Sequence, residues 1–368
     1  MKRDISQLFS ALAVVLACFF YLLHHPEITA TYDFSAYYCA FRLYLHGLNP
    51  YQAAALGECQ AQLGQSSDFG PAQMWYGPWG MLLLGPVLIL PYHAAAAAWF
   101  LLNICFLCLS SFISWRLVNG KSGSLAAVLF SGLLFFPNLE LLAWNQIGGL
   151  ITLGLVGFLA LQERRKDFLA GACLVPCSLK PHLFFLFAPV FLWWSFEERR
   201  FRPLAGFSAV LAFLAAASEK ISPGIIAAWC ANLQSPPFIQ KTPTLVGIVR
   251  GAIFNASGSA PLWPALFFPS AALLCLLVLL MLRRPTVDWL EWYVPLAAAS
   301  LFFAPYAFIH DQTMLLIGQS MLLGAAFTPD VLALRRRQVI ALCAALQTAA
   351  FLLSVFLFTT TPPFFWFP

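Results

Sequence analysis

One acidic residue stands in an aromatic stretch near the start of the chain, TYDFSAYYCAFRLYLHGLNPY at residues 31–51. A carboxylate such as that of Asp33 can act as a general base by accepting a proton from a hydroxyl group. The ordinary alternative is an N-cap, because an aspartate that precedes a helix over residues 36–46 can accept hydrogen bonds from free backbone amides. The two roles are compatible, because a cap holds the carboxylate in place.

A lysine within apolar sequence is the second candidate for chemistry. Lys180 precedes Pro181 in SLKPHLFF, where apolar residues dominate both flanks. A lysine in the hydrophobic part of a helix bundle is costly unless it is paired or reaches water, so such residues tend to be functional. A lysine at a helix end can instead extend its ammonium group outward to water. We favour a functional cation that binds an anion.

The composition predicts that these residues belong to a membrane protein. The 368 residues are 61% hydrophobic and 10% charged, with a mean hydropathy of +0.79. Soluble domains carry about a quarter charged residues, whereas here long apolar runs alternate with short charged clusters. This pattern predicts an all-α, polytopic transmembrane bundle. It excludes an outer-membrane barrel, whose strands alternate over about ten residues.

Basic residues predict the orientation of the helices, because Lys and Arg collect on the cytoplasmic side. Most of the 20 Lys and Arg fall in short clusters. If every cluster is cytoplasmic, the N-terminus is cytoplasmic. The residues His24-His25-Pro26-Glu27 lack the small-residue pattern of a signal-peptide cleavage site, so we expect the first helix to be an uncleaved anchor. The chain is then one domain over 1–368, with outer loops at about 24–77, 138–146, 219–261 and 305–311. The scheme gives about eleven spanning helices: 8–23, 94–115, 123–138, 147–162, 168–180, 183–196, 203–218, 262–282, 289–304, 312–327 and 338–358.

One apolar segment is too short for this scheme. Residues 78–91 read PWGMLLLGPVLILP, and a full crossing there would turn the later basic clusters outward. We expect a re-entrant or half-inserted segment beside a cavity, because irregular backbone at membrane depth is tolerated where it lines one. In the first outer loop, the apolar face of residues 36–46 predicts a helix lying flat at the membrane surface. Cys39 and Cys59 of that loop could form a disulfide.

Further polar residues fall near the predicted outer surface, where Asp33 also lies. Each has an ordinary explanation, such as an interfacial histidine, an arginine that binds lipid headgroups or a helix cap. Together they place one acid and several cations on one side of the membrane, and we expect Asp33 and Lys180 to converge on a pocket open to the outer leaflet. The residues concerned are Asn145, Gln146, Arg250, His310 and Asp311.

The order of these features resembles glycosyltransferase family 87, the polyprenyl-phosphate-mannose-dependent mannosyltransferase-like membrane proteins of the GT-C superfamily. The first matching stretch is the most specific, with an aspartate, paired aromatics and Gly-x-Asn-Pro-Tyr after an early helix. The resemblance implies a catalytic carboxylate at Asp33, a lysine after a mid-chain helix at Lys180 and a late histidine at His310. The matching stretches are DFSAYYCAFRLYLHGLNPY (33–51), WYGPWGMLLLGPVLILP (75–91), NQIGGLITLGLVGFLAL (145–161), LAGACLVPCSLKPHLFFLF (169–187) and FAPYAFIHDQTMLL (303–316).

The resemblance implies a hexosyltransferase of the inner (plasma) membrane with an extracytoplasmic active site. Its donor would be a polyprenyl-phosphate sugar, with mannose expected, and its acceptor a lipid or a glycan. Asp33 would take the proton of an acceptor hydroxyl that attacks the anomeric carbon opposite the phosphate, an inverting single displacement. Lys180, Arg250 and His310 would hold the leaving phosphate.

The remaining candidates are assigned to substrate binding by residue type. The outer loops contain no acid pair such as Asp-x-Asp, so we expect neither a metal nor another cofactor. We expect the lipid bilayer as a partner and no nucleic acid. The predicted substrate-binding residues are Tyr37, Tyr38, Arg42, Asn49, Trp75, Asn145, Gln146 and Asp311.

Two other functional classes stay open at this point. A transporter or flippase for a lipid-linked solute would also use Lys180 and a broken helix at 78–91, but the inverted repeats typical of such proteins are not visible. A non-catalytic subunit of a glycan assembly complex would keep the fold with a decayed site. Flux of labelled solute without chemical conversion would favour the transporter. Neither flux nor conversion would favour the accessory subunit.

Overall fold

The computed structural model describes residues 16–65, 70–118, 120, 122–233, 242, 244–259, 261–283 and 287–326, together with 338 and 341. Regular structure in these ranges is entirely helical, so the all-α prediction is confirmed for them. The predicted helix 338–358, apart from two isolated residues, and the first half of the predicted helix 8–23 lie outside the described residues.

The α-helices are numbered here in chain order. Short 3-10 helices lie at Pro26–Ile28, Val175–Leu179, Pro181–Leu183 and Ile309–Leu315. The α-helices are α1 Tyr32–Leu45, α2 Ala53–Gln62, α3 Trp79–Leu88, α4 Tyr92–Leu117, α5 Ser122–Leu133, α6 Phe136–Ala143, α7 Gly148–Glu163, α8 Asp167–Cys173, α9 Phe187–Glu197, α10 Arg202–Ile221, α11 Ile225–Leu233, α12 Leu245–Ser257, α13 Trp263–Arg283, α14 Trp289–Phe303 and α15 Leu316–Ala326.

Three helices of the described chain, α4, α10 and α13, are long and apolar enough to cross a membrane. The bent pair α5 and α6 would add a fourth span. The helix α3 is apolar but has only 10 residues, about half of what a crossing needs. Its re-entrant placement and the total of eleven spans stay predictions.

Prolines break two helices that the sequence predicted as continuous. The predicted helix 123–138 is divided into α5 and α6, which are bent by 51°, and Pro137 lies in the first turn of α6, where a missing N–H is tolerated. The predicted outer loop 138–146 is therefore helical as far as Ala143, and its side of the membrane stays a prediction. The predicted helix 168–180 ends at Cys173 and continues as a 3-10 helix. Pro176 explains the change, because its ring would clash with the carbonyl four residues earlier.

The chain separates into two compact units, and each is described by itself. Unit 1 comprises residues 1–106, 141–147 and 213–234, and unit 2 comprises 107–140, 148–212 and 235–368.

In unit 1, α1 is buried along most of its length. The face that the sequence assigned to the membrane surface is covered by protein, with Tyr44 fully buried and only Leu45 exposed at its end. A disulfide between Cys39 and Cys59 joins α1 to α2. Gly85 of α3 faces the ring of Phe41 at close range. These contacts fix the helix that carries Asp33.

In unit 2, small residues let α7 and α8 approach closely. A Cβ atom at Gly154 would overlap the main-chain oxygen of Cys173, and one at Gly157 would press on the Cys173 sulfur. Glycine at such positions allows helix backbones to pack against each other in membrane proteins. The close contact fixes the end of α8, from which the chain continues through one 3-10 helix to Lys180 and through a second 3-10 helix to α9.

Candidate active site

The Asp33 carboxylate lies in the first turn of α1, which begins four residues earlier than predicted. The N-cap is Thr31, whose hydroxyl accepts a hydrogen bond from the Phe34 amide at 3.2 Å. The interpretation of Asp33 as the N-cap is therefore wrong, because Asp33 is already inside the helix. Its negative charge is still favoured there by the helix dipole.

Gln146 binds the Asp33 carboxylate directly. Its side-chain nitrogen Nε2 donates to Oδ2 of Asp33 at 2.5 Å. At the other end of the amide, Oε1 of Gln146 accepts from the hydroxyl of Tyr37 at 2.7 Å and from that of Tyr76 at 3.4 Å. Tyr37 lies four residues after Asp33, on the same face of α1. The result is a row of two phenols, one amide and one carboxylate.

The segment 144–146 is joined to residues 29–33 by three consecutive side-chain contacts. The Thr31 hydroxyl donates to the Trp144 carbonyl at 2.8 Å, and the Asn145 amide donates to the Thr29 carbonyl at 3.0 Å. Gln146 to Asp33 is the third contact. Asn145 has a left-handed backbone with φ of 50°, a conformation that Asn tolerates better than most residues. This turn places the Gln146 side chain toward α1.

The main chain of Gln146 is fixed as firmly as its side chain. Its carbonyl oxygen accepts from the Asn103 amide at 2.8 Å and from the Trp99 indole at 3.3 Å. Its own amide donates to the Leu141 carbonyl at 3.0 Å. Only 5% of Gln146 is exposed. The position of the Gln146 side chain is therefore determined by its surroundings before any substrate binds.

Three predicted polar site residues of unit 1 are exposed or bind main-chain groups. Arg42 is exposed and lies nine residues after Asp33, which places it on the opposite side of α1. The Asn49 side chain accepts from the Tyr51 amide at 2.9 Å and so stabilises a turn. Asn145 is fully buried, and its amide also donates to the Ala96 carbonyl at 3.0 Å. Its described hydrogen bonds give Asn145 a structural role.

Two predicted aromatic residues of unit 1 pack against other rings or support the main chain. Tyr38 is buried and meets Tyr92 edge-on, with ring centroids 5.2 Å apart. Trp75 is half-buried, and its carbonyl accepts from the Trp229 indole at 3.2 Å. Their role in substrate binding stays a prediction. Tyr76 was not predicted as a site residue, although it stands beside Trp75 in an aromatic pair.

In unit 2, Lys180 forms a buried ion pair with Asp311. The ammonium nitrogen lies 2.5 Å from Oδ1 of Asp311, whereas the sequence analysis expected a phosphate as its partner. The second carboxylate oxygen accepts from the Phe308 amide at 2.9 Å. Burial alone would raise the pKa of Asp311, but the Lys180 ammonium and the hydrogen bond from the Phe308 amide keep it below its ordinary value. Burial lowers the pKa of His310 itself, so its imidazole is neutral.

A small cavity of about 10 Å³ lies beside this ion pair, on the scale of one water molecule. Lys180, Asp311 and Thr152 contribute to its lining, and the fully buried Thr152 hydroxyl has no hydrogen-bond partner among the described residues. The ring of His182 stacks on that of Tyr306, with the ring centroids 4.0 Å apart. Sequence reasoning missed Thr152 and His182, although His182 follows Lys180 by two residues.

Arg250, the third residue predicted to bind the donor phosphate, lies on α12 in unit 2. Its side chain is 6% exposed.

The family model described as glycosyltransferase family 87 matches residues 75–284, more than half of the chain. The chain belongs to glycosyltransferase family 87. The resemblance found in the sequence is thereby confirmed, and membership implies a membrane glycosyltransferase. The match includes Gln146 and Lys180, begins after Asp33 and ends before Asp311. No curated protein and no solved structure matches the chain.

Proposed function

We propose that this family 87 protein transfers a hexose, with mannose as the proposed sugar, from a polyprenyl-phosphate donor to a hydroxyl group of a lipid or glycan acceptor. The observation that carries the proposal is the Asp33 carboxylate, held at the start of α1 by the Gln146 amide at 2.5 Å. Family membership supports the reaction class. The choice of donor and sugar rests on the resemblance seen in the sequence.

Asp33 acts as the general base in this proposal. The acceptor oxygen forms a bond to the anomeric carbon while its proton passes to the carboxylate. The bond between the anomeric carbon and the phosphate oxygen breaks, and polyprenyl phosphate leaves with the electron pair. Attack from the face opposite the phosphate inverts the configuration, as in one-step inverting glycosidases. Because the amide of Gln146 is neutral, it orients the carboxylate without neutralising its charge.

The leaving phosphate also requires positive charge or hydrogen-bond donors. Lys180, Arg250 and His310 stay predictions for this role, and the convergence of Lys180 with Asp33 stays a prediction as well. A phosphate that binds Lys180 must share or replace the carboxylate of Asp311, which lies 2.5 Å from the ammonium group. Donor binding at Lys180 would therefore be coupled to movement of the segment that carries Asp311.

We also propose that α1 lies on the extracytoplasmic side of the inner membrane. The disulfide between Cys39 and Cys59 supports this orientation, because such bonds persist in oxidising compartments and are rare in the cytosol. A membrane-impermeant thiol reagent, applied to intact cells after mild reduction, should label Cys59, which is partly exposed, whereas Cys39 is fully buried. Labelling that requires lysis of the cells would reverse the proposed orientation.

The test of the proposed reaction is a transfer assay with purified protein in lipid nanodiscs. The donors are radiolabelled polyprenyl-phosphate mannose and polyprenyl-phosphate glucose, and the acceptor pool is an envelope extract from cells that lack the gene. Asp33→Asn removes the base while keeping the size of the side chain, and we expect a loss of at least about a hundredfold. Transfer by Asp33→Asn at the wild-type rate would refute the catalytic role.

Asp288→Asn is the matched control for this substitution. Asp288 is an exposed aspartate at the start of α14, where its carboxylate accepts from the Leu290 amide at 2.9 Å. Asparagine can keep that cap, so transfer should stay at the wild-type rate. Transfer of glucose but not mannose by the wild type would change the proposed sugar and leave the role of Asp33 intact.

A further inference from the structure

The tyrosine hydroxyls, the Gln146 amide and the Asp33 carboxylate form a row of hydrogen bonds. Along this row each group can donate only toward Asp33. An ionised carboxylate is an acceptor only, so the donor end of the Gln146 amide must face Asp33. The acceptor end then faces the hydroxyls of Tyr37 and Tyr76, which can both donate and lie 3.1 Å from each other. The carboxylate therefore determines which way the amide points, and the two phenols fit that orientation because each can donate to the amide oxygen.

These contacts give Gln146 a role different from the substrate binding that the sequence predicted. Both ends of its side chain are engaged by protein groups, and its main chain makes three further hydrogen bonds to Leu141, Trp99 and Asn103. We propose that Gln146 is a positioning residue that holds the Asp33 carboxylate in the orientation in which it accepts the acceptor proton. The inference rests on the proposed function of Asp33 and adds a residue to it.

Two physical consequences follow for the base. A hydrogen bond donated to a carboxylate stabilises its ionised form over the protonated form, so Gln146 favours the form of Asp33 that can accept a proton. It also removes rotational freedom from the carboxylate, and a base that is displaced by about 1 Å can lose up to a hundredfold in rate. A residue that only supported packing would produce neither the protonation effect nor a selective effect on kcat.

The protonation effect can be measured without any substrate. A hydrophobic carbodiimide adds to protonated carboxyl groups, and mass spectrometry of the peptide that contains Asp33 gives the pH at which labelling is half-maximal. Asp33→Asn provides the blank. Gln146→Met keeps the side-chain length but removes the donor, and it should move the midpoint upward by about one pH unit. Gln146→Glu keeps an acceptor for both tyrosines and adds a like charge, so the midpoint should move further upward.

Gln60→Met is the matched control. Gln60 is a buried glutamine of the same unit, whose amide bonds the main chain of Ala72 at 2.7 Å and 2.9 Å. Its loss should reduce stability through the same kind of broken hydrogen bonds without moving the Asp33 midpoint. An unchanged midpoint in both Gln146 variants, or an equal shift in Gln60→Met, would overturn the inference.

Kinetics separates this inference from the proposed function. In the transfer assay, Gln146→Met should lower kcat by about tenfold to a hundredfold, leave the KM for the donor unchanged and move the acid limb of the pH profile by the same amount as the labelling midpoint. If Asp33→Asn is inactive while Gln146→Met keeps the wild-type kcat and pH profile, the positioning role alone fails. If Asp33→Asn is active, the proposed function fails, whatever the labelling shows.

Discussion

The buried ion pair of Lys180 and Asp311 leads to the largest stability effect that we predict. The two side chains are 7% and 2% exposed, and their charged atoms lie 2.5 Å apart. We consider Lys180→Met and Asp311→Asn, which remove one charge each while keeping similar volumes, and the variant that combines them. These variants test whether the interaction between the two charges stabilises the folded state of unit 2.

The expected magnitudes follow from burial. Removing one member of a buried pair leaves the other charge uncompensated and costs about 3–5 kcal/mol. The combined variant contains neither charge, and its asparagine still offers an oxygen to the Phe308 amide, which Asp311 binds at 2.9 Å. We therefore expect it to be about as stable as either single variant. The double-mutant cycle should then give a coupling free energy of about 3 kcal/mol.

The assay is equilibrium unfolding in mixed micelles, followed by the fluorescence of the 12 tryptophans. A control cycle on the exposed pair of His25 and Glu27, 3.0 Å apart, should show no measurable coupling, because solvent screens such pairs. Additive costs for Lys180→Met and Asp311→Asn would refute the reasoning, since they would mean that the two charges do not stabilise each other.

The same pair predicts a pH dependence with a definite sign. Burial alone would raise the pKa of Asp311, but the Lys180 ammonium and the hydrogen bond from the Phe308 amide lower it to about 2, below the ordinary value of 3.8. A carboxyl with a depressed pKa contributes stability above its unfolded-state pKa and loses it as pH falls through its folded-state pKa. Wild-type stability should fall between about pH 4 and pH 2 by more than that of Asp311→Asn. An equal fall in both would contradict the prediction.

Two further predictions concern α1. Replacing Cys39 and Cys59 by serine should destabilise the fold by about 3 kcal/mol, because the disulfide closes a loop of sequence separation 20. Denaturation of wild type with and without reductant checks this, and equal denaturation midpoints would contradict the prediction. Thr31→Ala removes the N-cap and the bond to Trp144 and should cost about 1–2 kcal/mol, whereas Thr31→Ser should retain most of it; equal loss in both variants would exclude the hydroxyl as the cause.

The long apolar runs made several helices predictable to within a few residues. The predicted spans 94–115, 147–162, 203–218, 262–282 and 289–304 correspond to α4, α7, α10, α13 and α14. Apolar length alone identifies such segments, because few other structures bury that much hydrophobic sequence in succession. The mispredicted helix boundaries lie where a single residue, and not the length of the apolar run, determines the end of a helix. They lie near Pro137 and Pro176 and at the start of α1, where Thr31 and not Asp33 is the N-cap.

The candidate site was predictable as a set of residues but not as pairs. Asp33, Gln146, Lys180 and Asp311 were all selected from the sequence, yet their contacts span 113 and 131 residues. Helical periodicity carries information over one or two turns and none over such separations. The amide that faces Asp33 and the carboxylate that faces Lys180 therefore emerged only from the fold.

The most direct test of the account is a single-turnover measurement of the chemical step. Wild type and Asp33→Asn are loaded with radiolabelled polyprenyl-phosphate mannose and mixed with excess acceptor extract, so that product formation reports bond transfer alone. We predict that Asp33→Asn binds the donor as well as wild type does but transfers the sugar about a hundredfold to ten-thousandfold more slowly. An unchanged transfer rate in Asp33→Asn would contradict the central claim that Asp33 is the base.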